Sequence, residues 1–102
     1  MSTKSKFGRS DLEKKLGPMT LAAFISSWRE SLGMSQVAFA KKLGISAANL
    51  CDIEKGRQLV SPKKAAQIAK KIGYSETVLV ELVINEQLAA EGLKLRVKAE
   101  VA

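Results

Sequence analysis

The sequence predicts an all-α domain of five helices, on three observations. First, a glycine is three times followed two residues later by a serine: Gly33 and Ser35, Gly44 and Ser46, Gly73 and Ser75. Glycine adopts the left-handed conformation that ends a helix, and the serine hydroxyl accepts from the free amides that open the next one. Second, Leu21, Phe24, Ile25, Trp28 and Leu32 recur at the 3, 4, 7 and 11 spacing that puts them on one helical face. Third, no segment before the last ten residues alternates with the period of a strand.

The elements follow in order. The first helix is expected over residues 21–32, ending at Gly33. The second, over 36–43, lies between Ser35 and Gly44, and the third, over 47–55, between Ser46 and Gly56. Ser61 followed by Pro62 opens the fourth, over 62–72, because proline is tolerated at the first helical position. Its apolar residues Ala65, Ile68, Ala69 and Ile72 share a face, while Lys63, Lys64, Lys70 and Lys71 fall elsewhere. The fifth, over 76–91, is apolar on more than one side through Val78, Leu79, Val80, Leu82, Val83, Ile84 and Leu88, so it is expected to bury two faces.

Two segments flank these helices. Residues 1–18 are polar and lysine-rich and read as a flexible basic arm that either touches phosphates or is simply solvated. Residues 93–102 alternate as Leu93, Lys94, Leu95, Arg96, Val97, Lys98, a β-like tail. A lone strand has no partner in its own chain, so the tail either adds to a partner chain or stays frayed. The helical domain between them spans 19–92.

Composition limits the function. A chain of 102 residues is one domain and leaves no room for a second, catalytic one. With one cysteine and no histidine, the usual transition-metal ligand sets and the Ser-His-Asp and Cys-His nucleophile arrangements have no donors to draw on. Asp11 and Glu13, like Asp52 and Glu54, are two apart and do not face each other on a helix. No glycine-rich phosphate loop is present, and neither an enzyme nor a cofactor is expected. The lone Cys51 forms no internal disulfide, and no basic residue adjoins it along the chain to favour its thiolate.

The net charge of +7 calls for a polyanionic partner. It is unevenly spread: residues 1–74 carry +9, residues 75–92 carry −4 and residues 93–102 carry +2, so the nucleic-acid surface belongs to the first three quarters. No apolar run reaches the length of a membrane span, no signal peptide is evident, and the most apolar helix is acidic; a cytoplasmic protein off the membrane is expected.

Residues 36–55 form two short helices around a tight turn, with small Ala40 at the crossing and Gly44 in the turn. Phe39, Leu43, Ile45, Leu50 and Ile53 face inward. In Ser35-Gln36, Phe39-Ala40, Leu43-Gly44-Ile45-Ser46, Leu50, Ile53-Glu54-Lys55-Gly56 and Pro62 the chain resembles the lambda-repressor-like, or Cro and XRE-type, helix-turn-helix family over about residues 21–86. The resemblance implies that the third helix lies in the major groove of double-stranded DNA, and because one short helix reads too few base pairs for genomic selectivity, a dimeric repressor is expected. It places Ala47, Ala48, Asn49 and Asp52 in the groove, the alanines against thymine methyls and Asn49 on adenine; Asp52 either accepts from cytosine or discourages wrong sites. Gln36 falls near a phosphate and braces the reading residues, and backbone-positioning contacts are expected from Ser35, Ser46, Lys55 and Arg57. Arg29 and Glu54 stand where the family forms an internal ion pair. The basic-apolar tail and the Leu50–Gly56 run also resemble HigA-type antitoxins, which bind a toxin protein and repress their own operon.

Overall fold

The computed structural model describes residues 20–102, and the arm expected over 1–18 lies outside the described residues. Five helices appear in order: α1 (Leu21–Ser31), α2 (Gln36–Leu43), α3 (Ala47–Glu54), α4 (Pro62–Ile72) and α5 (Glu76–Ala90). Each opens on a hydroxyl cap that accepts from the amide three residues on. These are Thr20 from Ala23, Ser35 from Ala38, Ser46 from Asn49, Ser61 from Lys64 and Ser75 from Val78, at 3.0–3.3 Å. α1, α3 and α5 end one residue earlier than expected. Leu32, Lys55 and Glu91 instead cap them, with ψ relaxed to between −6° and 7° as the chain enters the left-handed glycine that follows.

α2 and α3 cross as a pair. α1 packs on α3, α4 packs on α2, and α5 closes the other side against α4 and α1. Phe24, Ile25, Phe39, Leu50 and Leu79 are fully buried at the centre, one or more from every helix but α4, which adds buried Ala65, Ile68 and Ala69. Phe24, Trp28 and Tyr74 form an aromatic cluster with ring centroids 4.9–5.7 Å apart, so the only tryptophan and tyrosine of the chain hold α1 to the start of α5. No helix among the described residues is long and apolar enough to cross a membrane.

The tail departs from expectation. Residues 93–102 form no strand ladder, because the described residues supply no second strand to pair with. A helix side chain takes that place: Asn85 Nδ2 donates to the Val97 carbonyl at 3.1 Å, and Val97 N–H donates to Asn85 Oδ1 at 2.8 Å. A carboxamide carries the same donor and acceptor as a peptide group, so it satisfies one register position of an extended chain. Ala99 N–H donates to Glu81 Oε1 at 3.1 Å, four residues back along the helix, so the tail runs antiparallel to α5.

α5 is also tied to the start of the fold. Glu86 Oε1 accepts from Leu21 N–H at 2.7 Å, placing a carboxylate at the N-terminus of α1 where the helix dipole favours it. Burial nevertheless outweighs that bond and raises the Glu86 carboxyl above its ordinary range. A carboxyl whose pKa is raised by folding binds its proton more tightly in the folded chain, so its contribution to stability is greatest at low pH and is lost as pH rises through the folded value. Glu86→Gln, which keeps the acceptor and removes the charge, should raise the urea midpoint relative to wild type at pH 7. The difference should shrink as the pH is lowered toward 4.5, and a difference that widens instead contradicts the assignment.

Candidate nucleic-acid interface

The turn between α2 and α3 is set by Gly44 at φ 74° and by the bond from Ile45 N–H to the Ala40 carbonyl at 3.0 Å. Ala40 is buried, and its single methyl lets the helices approach at their crossing. Lys71 of α4 donates to the Leu43 carbonyl at 3.1 Å, satisfying one of the free acceptors at the end of α2. A Cβ at position 44 would meet the Lys71 Nζ at 2.8 Å and displace that flexible side chain from the Leu43 carbonyl, while the requirement for glycine itself comes from φ.

One carboxylate fixes the orientation of α3. Glu54, in its last turn, has a side chain only 5% exposed, and three donors converge on or beside it. Arg29 Nε donates to Oε2 at 2.7 Å, Arg29 Nη2 to Oε1 at 3.1 Å, and Gln36 Nε2 to Oε1 at 3.0 Å. The remaining edge of Arg29 donates through Nη1 to the Met34 carbonyl at 2.9 Å. The bonds to Glu54, with its charge, hold the Arg29 guanidinium still further above its ordinary pKa against the opposing effect of burial. α1, the start of α2 and the end of α3 thus meet at one satisfied charge, and Gln36 braces that charge with its side chain.

The helical period then decides what α3 presents. Leu50 and Ile53 are buried, so the opposite direction faces out. Ala48 and Lys55 are exposed on that side, with Asp52 and Cys51 half-exposed beside them. Ala47 and Asn49 lie on the flanks: Ala47 is half-buried and packs against the core, and Asn49 is half-buried with its Oδ1 covered and without a hydrogen-bond partner. Of the four residues expected to face a groove, the outward stripe therefore holds Ala48 and Asp52. The two flanking residues are drawn inward because they stand beside Ile53 and Glu54 on the helical wheel.

Among the residues expected at the DNA backbone, Ser35 and Ser46 cap α2 and α3 at exposed helix starts, and Lys55 is exposed at the end of α3. Arg57 folds back onto α3. Its Nε and Nη2 both donate to Asp52 Oδ1, at 3.0 and 2.9 Å, and its Nη2 lies 4.0 Å from Cys51 Sγ. The Asp52 bonds raise the Arg57 pKa. The expectation that no basic group stands beside Cys51 is corrected by this geometry: the neighbour arrives through the turn at Gly56, where adjacency along the chain gives no sign of it.

Because Glu54 would be left buried without its strongest partner, Arg29→Met should destabilise the fold by about 3 kcal/mol. Chemical denaturation of the variant measures it, and unchanged stability would show that Glu54 does not depend on Arg29.

A family model for helix-turn-helix domains matches residues 25–79, more than half of the 102-residue chain. Comparison with curated proteins and with solved structures gives no match. The matched span runs from Ile25, inside α1, to Leu79, inside α5, and so contains the whole α2–α3 pair, the Glu54 cluster and the outward face of α3. The chain belongs to the Cro/C1-type helix-turn-helix family and is, on that membership, a DNA-binding transcriptional regulator.

Proposed function

We propose that the protein is a sequence-specific repressor that lays α3 in the major groove of duplex DNA and works as a two-fold dimer. The observation that carries this reading is the outward stripe of α3, where exposed Ala48 leads and the buried Glu54 cluster holds the helix at a fixed angle to α1 and α2. The exposed starts of α2 and α3, capped by Ser35 and Ser46, carry N-terminal amides suited to a phosphate, with Gln36 in the first turn of α2 and exposed Lys55 at the end of α3 as further backbone contacts. A helix of eight residues spans too few base pairs to select one genomic site, and a dimer doubles the length read. The methyl of Ala48 suits thymine, and flanking Ala47 and Asn49 suit contacts at the groove edge.

Fluorescence anisotropy with a random duplex and with a duplex enriched by selection tests this. Affinity for both should fall as salt rises, with a log–log slope of roughly −0.9 for each phosphate neutralised, and the selected duplex should bind more tightly at every salt concentration. Ala48→Glu, at an exposed position, should weaken the selected complex on the order of 100-fold, since like charges set against one another cost several kcal/mol. Equal binding by wild type and Ala48→Glu would contradict the placement of α3.

The tail favours a second reading, an antitoxin that binds a toxin protein and represses its own operon. Leu95 and Val101 are 62% and 86% exposed on a segment that also carries Lys94, Arg96 and Lys98, a surface suited to a partner chain. Removing residues 93–102 separates the readings: an antitoxin loses its protein partner and keeps its DNA affinity, whereas a simple repressor has no such partner to lose.

A further inference from the structure

We propose that Arg57 is a base-reading side chain selective for guanine, and that Asp52 is the positioning residue that aims it. This rests on the reading of α3 as a groove-bound helix and names the base that helix selects.

At about 100° per residue, Asp52 projects roughly 40° to one side of Ala48 on the wheel of α3, and Cys51 roughly 60° to the other. The Arg57 guanidinium touches both, with Nη2 at 2.9 Å from Asp52 Oδ1 and 4.0 Å from Cys51 Sγ. It therefore sits over the middle of the outward stripe, one turn beyond Ala48, although its own backbone lies past the end of the helix. Gly56 at φ 73° turns the chain back, and the Asp52 carbonyl accepts from Arg57 N–H at 2.9 Å and Gln58 N–H at 3.3 Å, which fixes the base of the side chain.

A guanidinium has a side edge, Nε with Nη2, and an end edge, Nη1 with Nη2. Asp52 takes the side edge with both bonds on one oxygen. On the end edge, Nη1 has no partner among the described residues and Nη2 makes only the long 4.0 Å contact to Cys51 Sγ, a weak acceptor, so this fork is left to match O6 and N7 of guanine in the major groove. The pair is exposed, with Arg57 at 60% and Asp52 at 42%, so it contributes little to stability, and its consequence is orientation. Ala48, with only a methyl, leaves the front of the stripe open to a long side chain entering from beyond the helix.

A phosphate contact by the same arginine makes the opposite prediction, and the two are separable. Duplexes selected by the wild-type protein are compared with copies in which each G·C pair in turn becomes A·T, for wild type, Arg57→Lys and Asp52→Ala. If Arg57 reads guanine, wild type discriminates against one substituted position by roughly 5- to 150-fold, the span of a good bidentate contact. Arg57→Lys, which keeps the charge but has no fork, reduces that ratio to near one at that position alone. Asp52→Ala reduces the same ratio part-way, without moving the thermal midpoint by more than a degree or two. Two results overturn the proposal while leaving DNA binding intact: a uniform loss across all duplexes with a shallower salt slope, which marks a phosphate contact, or ratios unchanged in both variants. A wild-type protein indifferent to every duplex overturns both this proposal and the reading on which it rests.

Discussion

The carboxylate of Glu54 is the constraint around which the rest is arranged. A charge that is 95% covered is costly unless every lone pair facing the protein finds a donor. Here the donors come from α1, through Arg29, and from the first residue of α2, through Gln36, while the acceptor belongs to the last turn of α3. Apolar packing alone tolerates small slides and rotations of short helices. A bidentate arginine and an amide converging on one carboxylate tolerate much less, because any slide leaves a buried charge with a missing partner. The angle at which α3 is presented is therefore set by a polar cluster, and the core of Phe24, Phe39, Ile25 and Leu50 supplies the cohesion.

From that constraint follows an unusual division of labour at the surface. The front of α3 carries methyl groups, and the long hydrogen-bonding side chain associated with it comes from beyond the helix, through Arg57 folded back onto Asp52. The protein's charge is divided along the chain as well. The basic residues concentrate before residue 75, while α5 carries three glutamates and no basic residue. Two of those glutamates have internal partners, Glu86 at the start of α1 and Glu81 at the backbone of the tail, so the acidic helix holds the ends of the fold together.

Much of the fold was legible because its signals are local. A serine three residues ahead of the amide it caps, and a glycine at the end of the preceding helix, both lie within a few positions of each other, and the boundaries of α2 and α4 follow from them. The one-residue shift at the ends of α1, α3 and α5 reflects how a chain relaxes just before a left-handed glycine, which residue type alone does not specify. What composition and spacing did not disclose were contacts made across the sequence: Lys71 on the end of α2, Asn85 standing in for a strand, and Arg57 beside Cys51. Lys71 reads as one more solvated lysine and Asn85 as one polar residue on an apolar helix until the fold brings Leu43 and Val97 to them. The candidate reading face was legible as to helix but not as to phase. The pattern marks Leu50 and Ile53 as inward, yet how far Ala47 and Asn49 are drawn in depends on the neighbouring helices.

The presentation of α3 to DNA is tested most directly by an amide NMR titration of the intact protein with a duplex that it has selected. The account predicts that the largest shift changes fall at residues 46–58 and at the start of α2, with α5 and the tail scarcely moving. Changes confined to α5 and residues 93–102, with α3 undisturbed, would contradict it.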